Sequence, residues 1–549
     1  MMRWLLFILL LLAGGGDVLA QGLFISGTVA PNRSFVPLHT YFMAATGCND
    51  ANAGTSAGAP WCTPNHAGVC GDVIIAAAGT YTNDFSTWGT VSTCPSVTGG
   101  IDGLGGIYAA VLLCGGSDIT SCKVDCSVSG TPCNGCVTCN TGGSGFGPAA
   151  AMSVNSKSNW AIEGWTLTCG SAFTGFGNEC TAFQPTGCIV SVTYIFLINA
   201  LTYNNGQSWA PQDCTNSTAV GADYNAVVGV IAQNSAQSDV CIAAIDVIRG
   251  GKSDADTTHT HWFIYNNYSY NNPDTPCDTA FDGEDFMLDT PGGHQIAGHI
   301  VFANNVGFYA ERYCIHTTDG GTVVSSNPLI KIYNNTCTYN NQRGLAGTAA
   351  GELQQTATWS AAGSPSVQIW NNIAYSPWST PPGPGGSGNT YALVPQVANP
   401  LLVGNQVRAG AENILQGTPS PANDCFTGNP GCGHDTSVNP NFKNTTDLVT
   451  NHLGVPNCFG FRNTTQCMGW DAASQRMTAL SILDDLTANA TGGCPQCAGK
   501  GFQKPSTTCI SSGDIVTDYP TWLKGLVYLH WTGSAVVQNF DLVTLPCGL

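Results

Sequence analysis

The sequence predicts an all-β chain wound as a parallel β-solenoid, and three observations lead there. An apolar or aromatic strand running into paired asparagines returns four times: WFIYNN ending at Asn266 and Asn267, IVFANN at Asn304 and Asn305, IKIYNN at Asn334 and Asn335, and VQIWNN at Asn371 and Asn372. Successive first asparagines stand 38, 30 and 37 residues apart, the size of one supersecondary unit stacked on copies of itself. Charged residues make up only 9% of the chain, against roughly 25% in ordinary globular proteins, with Gly, Asn, Thr and Ser in their place. The 43% hydrophobic content still suffices for a large core, which excludes disorder.

Each repeat offers a strand too short to bury its own apolar face, so its stability must come from the neighbours above and below. Asparagine suits the corner because it tolerates a left-handed backbone and its amide can bond its own chain. Stacked at the roughly 4.8 Å spacing of strands, such amides can form hydrogen-bonded ladders. The four pairs are therefore expected to align at one corner.

The N-terminal part adds a resemblance. The segments Thr40–Ser56 (TYFMAATGCNDANAGTS), Pro60–Pro64 (PWCTP) and Gly71–Tyr81 (GDVIIAAAGTY) read as a strand, a glycine-rich turn and an alternating strand closed by a glycine corner. In this they are similar to the way many secreted members of the pectate-lyase-like superfamily begin. The resemblance covers residues 40–405 and implies a right-handed parallel β-helix. It says little about activity, because one fold hosts many.

Residues 1–20 read as a secretory signal: Met1-Met2-Arg3 is a positive start, Trp4 to Ala13 an apolar stretch, and Val18-Leu19-Ala20 a small-residue cleavage site. Residues 21–140 are expected to be the N-terminal cap and first coils, and 141–405 the β-helix. Residues 406–549 are expected to hold the last coils and a cysteine-rich C-terminal cap, with an amphipathic helix over Ala472–Thr487. The break is the Pro/Gly run Ser379–Gly388. The 26 cysteines, an even number scattered along the chain, read as disulfides formed in an oxidising compartment. A secreted protein, extracellular or periplasmic, without a membrane span and monomeric, is expected.

The net charge of −18 excludes nucleic acid as a partner, because phosphate binding needs Lys and Arg that are scarce here. A polysaccharide is the expected partner. A polyanionic one would need calcium bridges or a local basic strip.

Acids crowd one span: Asp254, Asp256, Asp274, Asp278, Asp282, Glu284, Asp285 and Asp289. His259, His261, His294, His299 and His316 lie nearby. If Phe286 and Leu288 point inward, alternation turns Asp285, Met287 and Asp289 outward, with Asp282 and Glu284 at the preceding corner. Asp254, Asp256, Asp282, Glu284, Asp285 and Asp289 are then candidate calcium ligands, since calcium takes six to eight oxygens. Of the few basic residues nearby, Arg312 and Lys331 are candidates, together with Asp285, for the catalytic groups of a polysaccharide lyase. A carboxylate pair would instead suit a glycoside hydrolase. The string Asp282-Gly283-Glu284-Asp285 faintly resembles the Asp-Gly-x-Asp of polygalacturonase-type hydrolases, but that family's Gly-His-Gly and Arg-Ile-Lys motifs are absent. A non-catalytic adhesin, glycan-binding or structural β-helix is the reading from another class. Trp262, Tyr265, Tyr268, Tyr270, Tyr309 and Tyr313 are candidates for sugar-stacking platforms, half of them expected to turn inward.

Overall fold

A computed structural model describes residues 36–92 except 84, the strands and corners between 109 and 375, and short stretches beyond: 390–395, 414–416, 469–471, 476–478, 501 and 529–538. Every described element is a strand. Ten strands form a first sheet, from Thr40–Met43 through Trp160–Glu163 and Trp262–Tyr265 to Ser366–Trp370. Ten more form a second, from Gly79–Tyr81 through Val306–Ala310 to Ile414–Gln416. A third sheet of nine includes Ile245–Asp246, Phe286–Asp289, Ile315–Thr318 and Ala350–Gln355. The chain visits the three sheets in turn, and each strand pairs in parallel with its counterpart one coil away. This is the expected parallel β-helix. Among the described residues, no helix is long and apolar enough to cross a membrane.

Alternation along each strand sends one set of side chains inside and the other out. Trp160, Ile162, Ile195, Leu197, Val227, Trp262, Ile264, Ile300, Phe302, Ile330 and Ile332 line the interior from the first sheet. A second apolar cluster runs along that sheet's outer face: Val73, Ile75, Val111, Leu113, Phe196, Phe263, Tyr265 and Tyr333. The sequence offered no sign that the outside of the solenoid would itself be a core.

The paired asparagines occupy one corner, between the first and second sheets, and they divide the work. Asn266, Asn304, Asn334 and Asn371 take the left-handed conformation, with φ of 58°, 55°, 53° and 54°. The same place on earlier coils is held by Gly164, Asn199 and Gly229, also at positive φ. The second asparagines build the ladder. The amide nitrogens of Asn267, Asn305 and Asn335 donate to the Oδ1 of Asn305, Asn335 and Asn372, each at 3.0 Å. Asn305 and Asn335 also donate to carbonyls one coil back, Ile264 and Phe302, at 2.9 Å. Asn267-Tyr268-Ser269 and Asn334-Asn335-Thr336 match the Asn-x-Ser/Thr glycosylation pattern, yet both asparagines are fully buried.

In the C-terminal region, Ile414–Gln416 extends the second sheet beside Ile373–Tyr375, and two antiparallel hairpins follow. Within the expected helix, Arg476–Thr478 is a strand paired antiparallel with Gly469–Asp471. A second hairpin, Leu529–Trp531 with Val536–Gln538, lies not over the end of the solenoid but on the outer face of its first coils. There Trp531 meets Phe42 edge-on at 5.9 Å, and the Leu529 amide donates to Glu163 Oε1 at 2.7 Å.

Among the described residues, Cys48, Cys62, Cys70, Cys114, Cys122, Cys126, Cys169, Cys314 and Cys337 are disulfide-bonded. Three bridges are Cys48–Cys62, Cys114–Cys122 and Cys314–Cys337.

Candidate functional site

The acid-rich span reaches the third sheet at Phe286–Asp289. Phe286 and Leu288 enter the interior cluster as expected. In register with this strand on the next coil is Ile315–Thr318, with Met287 opposite His316 and Phe286 opposite Ile315. Ile315 is also interior, so alternation sets His316 on the outer face, in line with Asp246, Met287 and Gln354.

At the corner before the strand, Glu284 turns towards this column. Its Oε1 lies 2.9 Å from His316 Nδ1, a contact between adjacent coils. Glu284 is fully buried and His316 is 5% exposed, so the pair sits in a low-dielectric place with only an edge of the imidazole at the surface. An ionised carboxylate can only accept, so with Glu284 ionised the Nδ1–H donates and the lone pair lies on Nε2. The Tyr313 ring lies 4.5 Å from the His316 ring, and the Arg312 guanidinium lies 4.4 Å over the Tyr313 ring from the turn leading into the strand. Arg312, Tyr313, His316 and Glu284 thus form one connected group of cation, ring, base and acid.

The other expected site residues part company with this group. Asp285 does not face outward. It is fully buried, and its Oδ2 lies 2.6 Å from where a Cβ on Gly307 would stand, in a space shared with Cys314. Gly307 lies opposite Cys337 of the interior cluster, so the carboxylate points inside the solenoid beside the Cys314–Cys337 bridge. The reason is the corner: the outward alternation of Met287 does not extend back through the turn to Asp285. Lys331 is on another face altogether. It stands between Val301 and Gln368 on the outer side of the first sheet, where it is 5% exposed. It shares no groove with Glu284. Asp254, Asp256 and Asp282 lie outside the described residues, as does the side chain of Asp289. Among the described residues, no three His, Cys, Asp or Glu side chains gather as a metal site. Glu284 and Asp285 point in different directions, so these two acids do not jointly fit calcium.

Of the expected sugar platforms, Trp262, Tyr265, Tyr268 and Tyr313 are buried, and the side chains of Tyr270 and Tyr309 lie outside the described residues. A half-buried aromatic stack occurs elsewhere. Tyr194, Tyr224 and His261 each precede a strand of the first sheet at positive φ, with ring spacings of 5.0 and 4.3 Å. Its sequence signal was an aromatic or imidazole residue directly before the strand, at repeat spacing.

No family model matches the chain, and no curated protein matches it. Solved structures similar to it include the GH136 lacto-N-biosidase from Eubacterium ramulus. Its selenomethionine derivative matches with a TM-score of 0.36 and 9% identity, over 60% of this chain and 65% of that one. The native form gives 0.32 and 10%, over 66% and 67%. The chain therefore spans slightly under two thirds of the length of the first of these. Pectate lyase Pel9A matches with a TM-score of 0.30 and 15% identity, over 64% of this chain and 79% of that one. The pairing of the strands, rather than these likenesses, defines the parallel β-helix.

Proposed function

We propose that this protein is an exported carbohydrate-active enzyme, a polysaccharide lyase working from the outer face of the third sheet. The observation that carries the reading is the 2.9 Å contact between Glu284 and His316, an imidazole held by a carboxyl group beside a cation–aromatic pair. In this reading His316 Nε2 takes the proton from C5 of a uronate. The electrons of that C–H bond form the C4=C5 double bond, and the C4–O bond breaks with its pair on the leaving oxygen. Arg312 stabilises the enolate-like charge that develops before the bond breaks. Glu284 holds the imidazole and offsets the positive charge it gains. Asp254, Asp256, Asp282 and Asp289 are the residues that would bind calcium, should a metal assist; no step here depends on it. The disulfides support export, because such bonds persist in oxidising compartments.

The test is a panel of polyuronates and neutral glycans, with and without calcium, read by ultraviolet absorbance and by reducing ends. Unsaturated products that vanish in His316→Ala support the lyase. Reducing ends alone would replace it with a hydrolase. Binding without cleavage would make the protein a glycan-binding β-helix.

A further inference from the structure

The C-terminal hairpin and the N-terminal coils meet around one carboxyl group that the proposed chemistry does not use. Glu163 ends the strand Trp160–Glu163 and faces outward between Leu113 and Ile198 of the neighbouring coils. That face carries the apolar cluster of Val73, Ile75, Val111 and Leu113, to which the hairpin adds Leu529 and Val536. Glu163 is 1% exposed, and its Oε1 accepts the Leu529 amide from 366 residues away in the sequence. Trp531 completes the contact by packing on Phe42, and its ring lies 3.4 Å from where a Cβ on Gly115 would stand.

We propose that Leu529–Gln538 is a pH-sensitive clasp, fastened to the first coils while Glu163 is protonated and loosened when it ionises. A carboxylic acid can accept the Leu529 N–H without carrying charge. The carboxylate must stay dehydrated among aliphatic side chains with one described donor, and a buried charge so poorly compensated is costly. Of the groups packed around it, Leu113, Ile198 and Leu529 do not titrate. Cys114 is held in a disulfide, and His530 is the one titratable residue in the hairpin strand itself. Burial pushes the Glu163 carboxyl well above the usual glutamate range, and the Leu529 hydrogen bond only partly opposes this. Release would bare Val73, Ile75, Val111 and Leu113 as an apolar strip.

Amide hydrogen exchange across residues 529–538 tests the clasp on the full-length protein, with each rate divided by the intrinsic rate at the same pH. Protection at Leu529 should fall at least tenfold as pH rises through the Glu163 titration, and should stay level in Glu163→Gln, which keeps the acceptor but cannot ionise. Protection that does not change with pH in the parent, or that falls equally in the variant, would overturn the proposal. Should Glu163→Gln fail to fold, Leu529→Pro removes the donor from the hairpin side. It should expose 529–538 at every pH while the coils stay protected, and full protection in that variant would overturn the clasp as well.

Discussion

His316 and Glu284 stand 32 residues apart in the chain yet meet at 2.9 Å, because strand pairing sets one coil directly upon the next. The contact exists only in the stacked solenoid, and so would the base proposed from it. Replacing His316 with Ala should lower kcat about a hundredfold or more, the usual weight of a positioned general base. Glu284→Gln should cost less and change the pH profile, because the imidazole loses its charge partner while keeping a hydrogen bond. Unchanged kcat in His316→Ala, measured on whichever glycan the parent cleaves, would remove this corner from the mechanism.

The two asparagines of one corner should differ sharply in worth. Asn305 donates to Ile264 and Asn335 and accepts from the Asn267 backbone and side-chain amides, all inside the protein. Asn305→Ala leaves several buried groups unsatisfied and should cost about 3 kcal/mol or more. Asn304→Gly keeps the left-handed turn and loses the Asn304–Asn266 amide contact, so it should cost less, about 1 kcal/mol. Urea unfolding of the two variants gives the comparison, and equal losses would refute the division of roles.

Gly307 is where the interior cannot spare a methyl group. A Cβ there would collide with Cys314 Sγ and stand 2.6 Å from Asp285 Oδ2. Gly307→Ala should therefore destabilise by about 1–3 kcal/mol, the range for overpacked cores. Gly58, with nothing within 4 Å of its Cβ position, provides the control, and Gly58→Ala should leave the melting temperature nearly unchanged.

The cysteines should be almost entirely oxidised. Titration of thiols in the denatured, unreduced protein should find few free groups among the 26. About half of them free would overturn the reading of an oxidising compartment.

Stability should fall as the solution becomes more alkaline, through Glu163. The carboxyl binds its proton more tightly folded than unfolded. Its contribution is complete below the ordinary glutamate value of 4.5 and is lost as pH rises through the raised folded-state value. Denaturant midpoints of Glu163→Gln should exceed those of the parent at the alkaline end and converge with them towards pH 4. A difference that instead grows on acidification would show the sign to be wrong.

The repeat was legible because it is local. Four strands ending in two asparagines declare both the period and the corner, and the corner chemistry of asparagine follows from its backbone preferences. The candidate site was half legible. Glu284 lay in the crowded span, with Arg312 and His316 a short way beyond it, but their grouping depends on a register that residue counts between 30 and 38 do not fix. Asp285 misled because alternation holds within a strand and fails at the turn before it. Lys331 misled because proximity along a coil is not proximity on a face. The outer apolar cluster and the Glu163–Leu529 contact were illegible, since nothing local marks a pairing across 366 residues.

That last pairing also divides the folding of the chain into two regimes. The asparagine ladder joins residues 30 to 38 apart, so each coil can settle on the one before it as the polypeptide emerges. Glu163 has no such nearby partner and waits for Leu529. Until then the first coils are wound but unsheathed, with Val73, Ile75, Val111 and Leu113 open to neighbouring chains. A truncation that removes residues 529–549 should thus leave the stack of coils wound and make the protein self-associate.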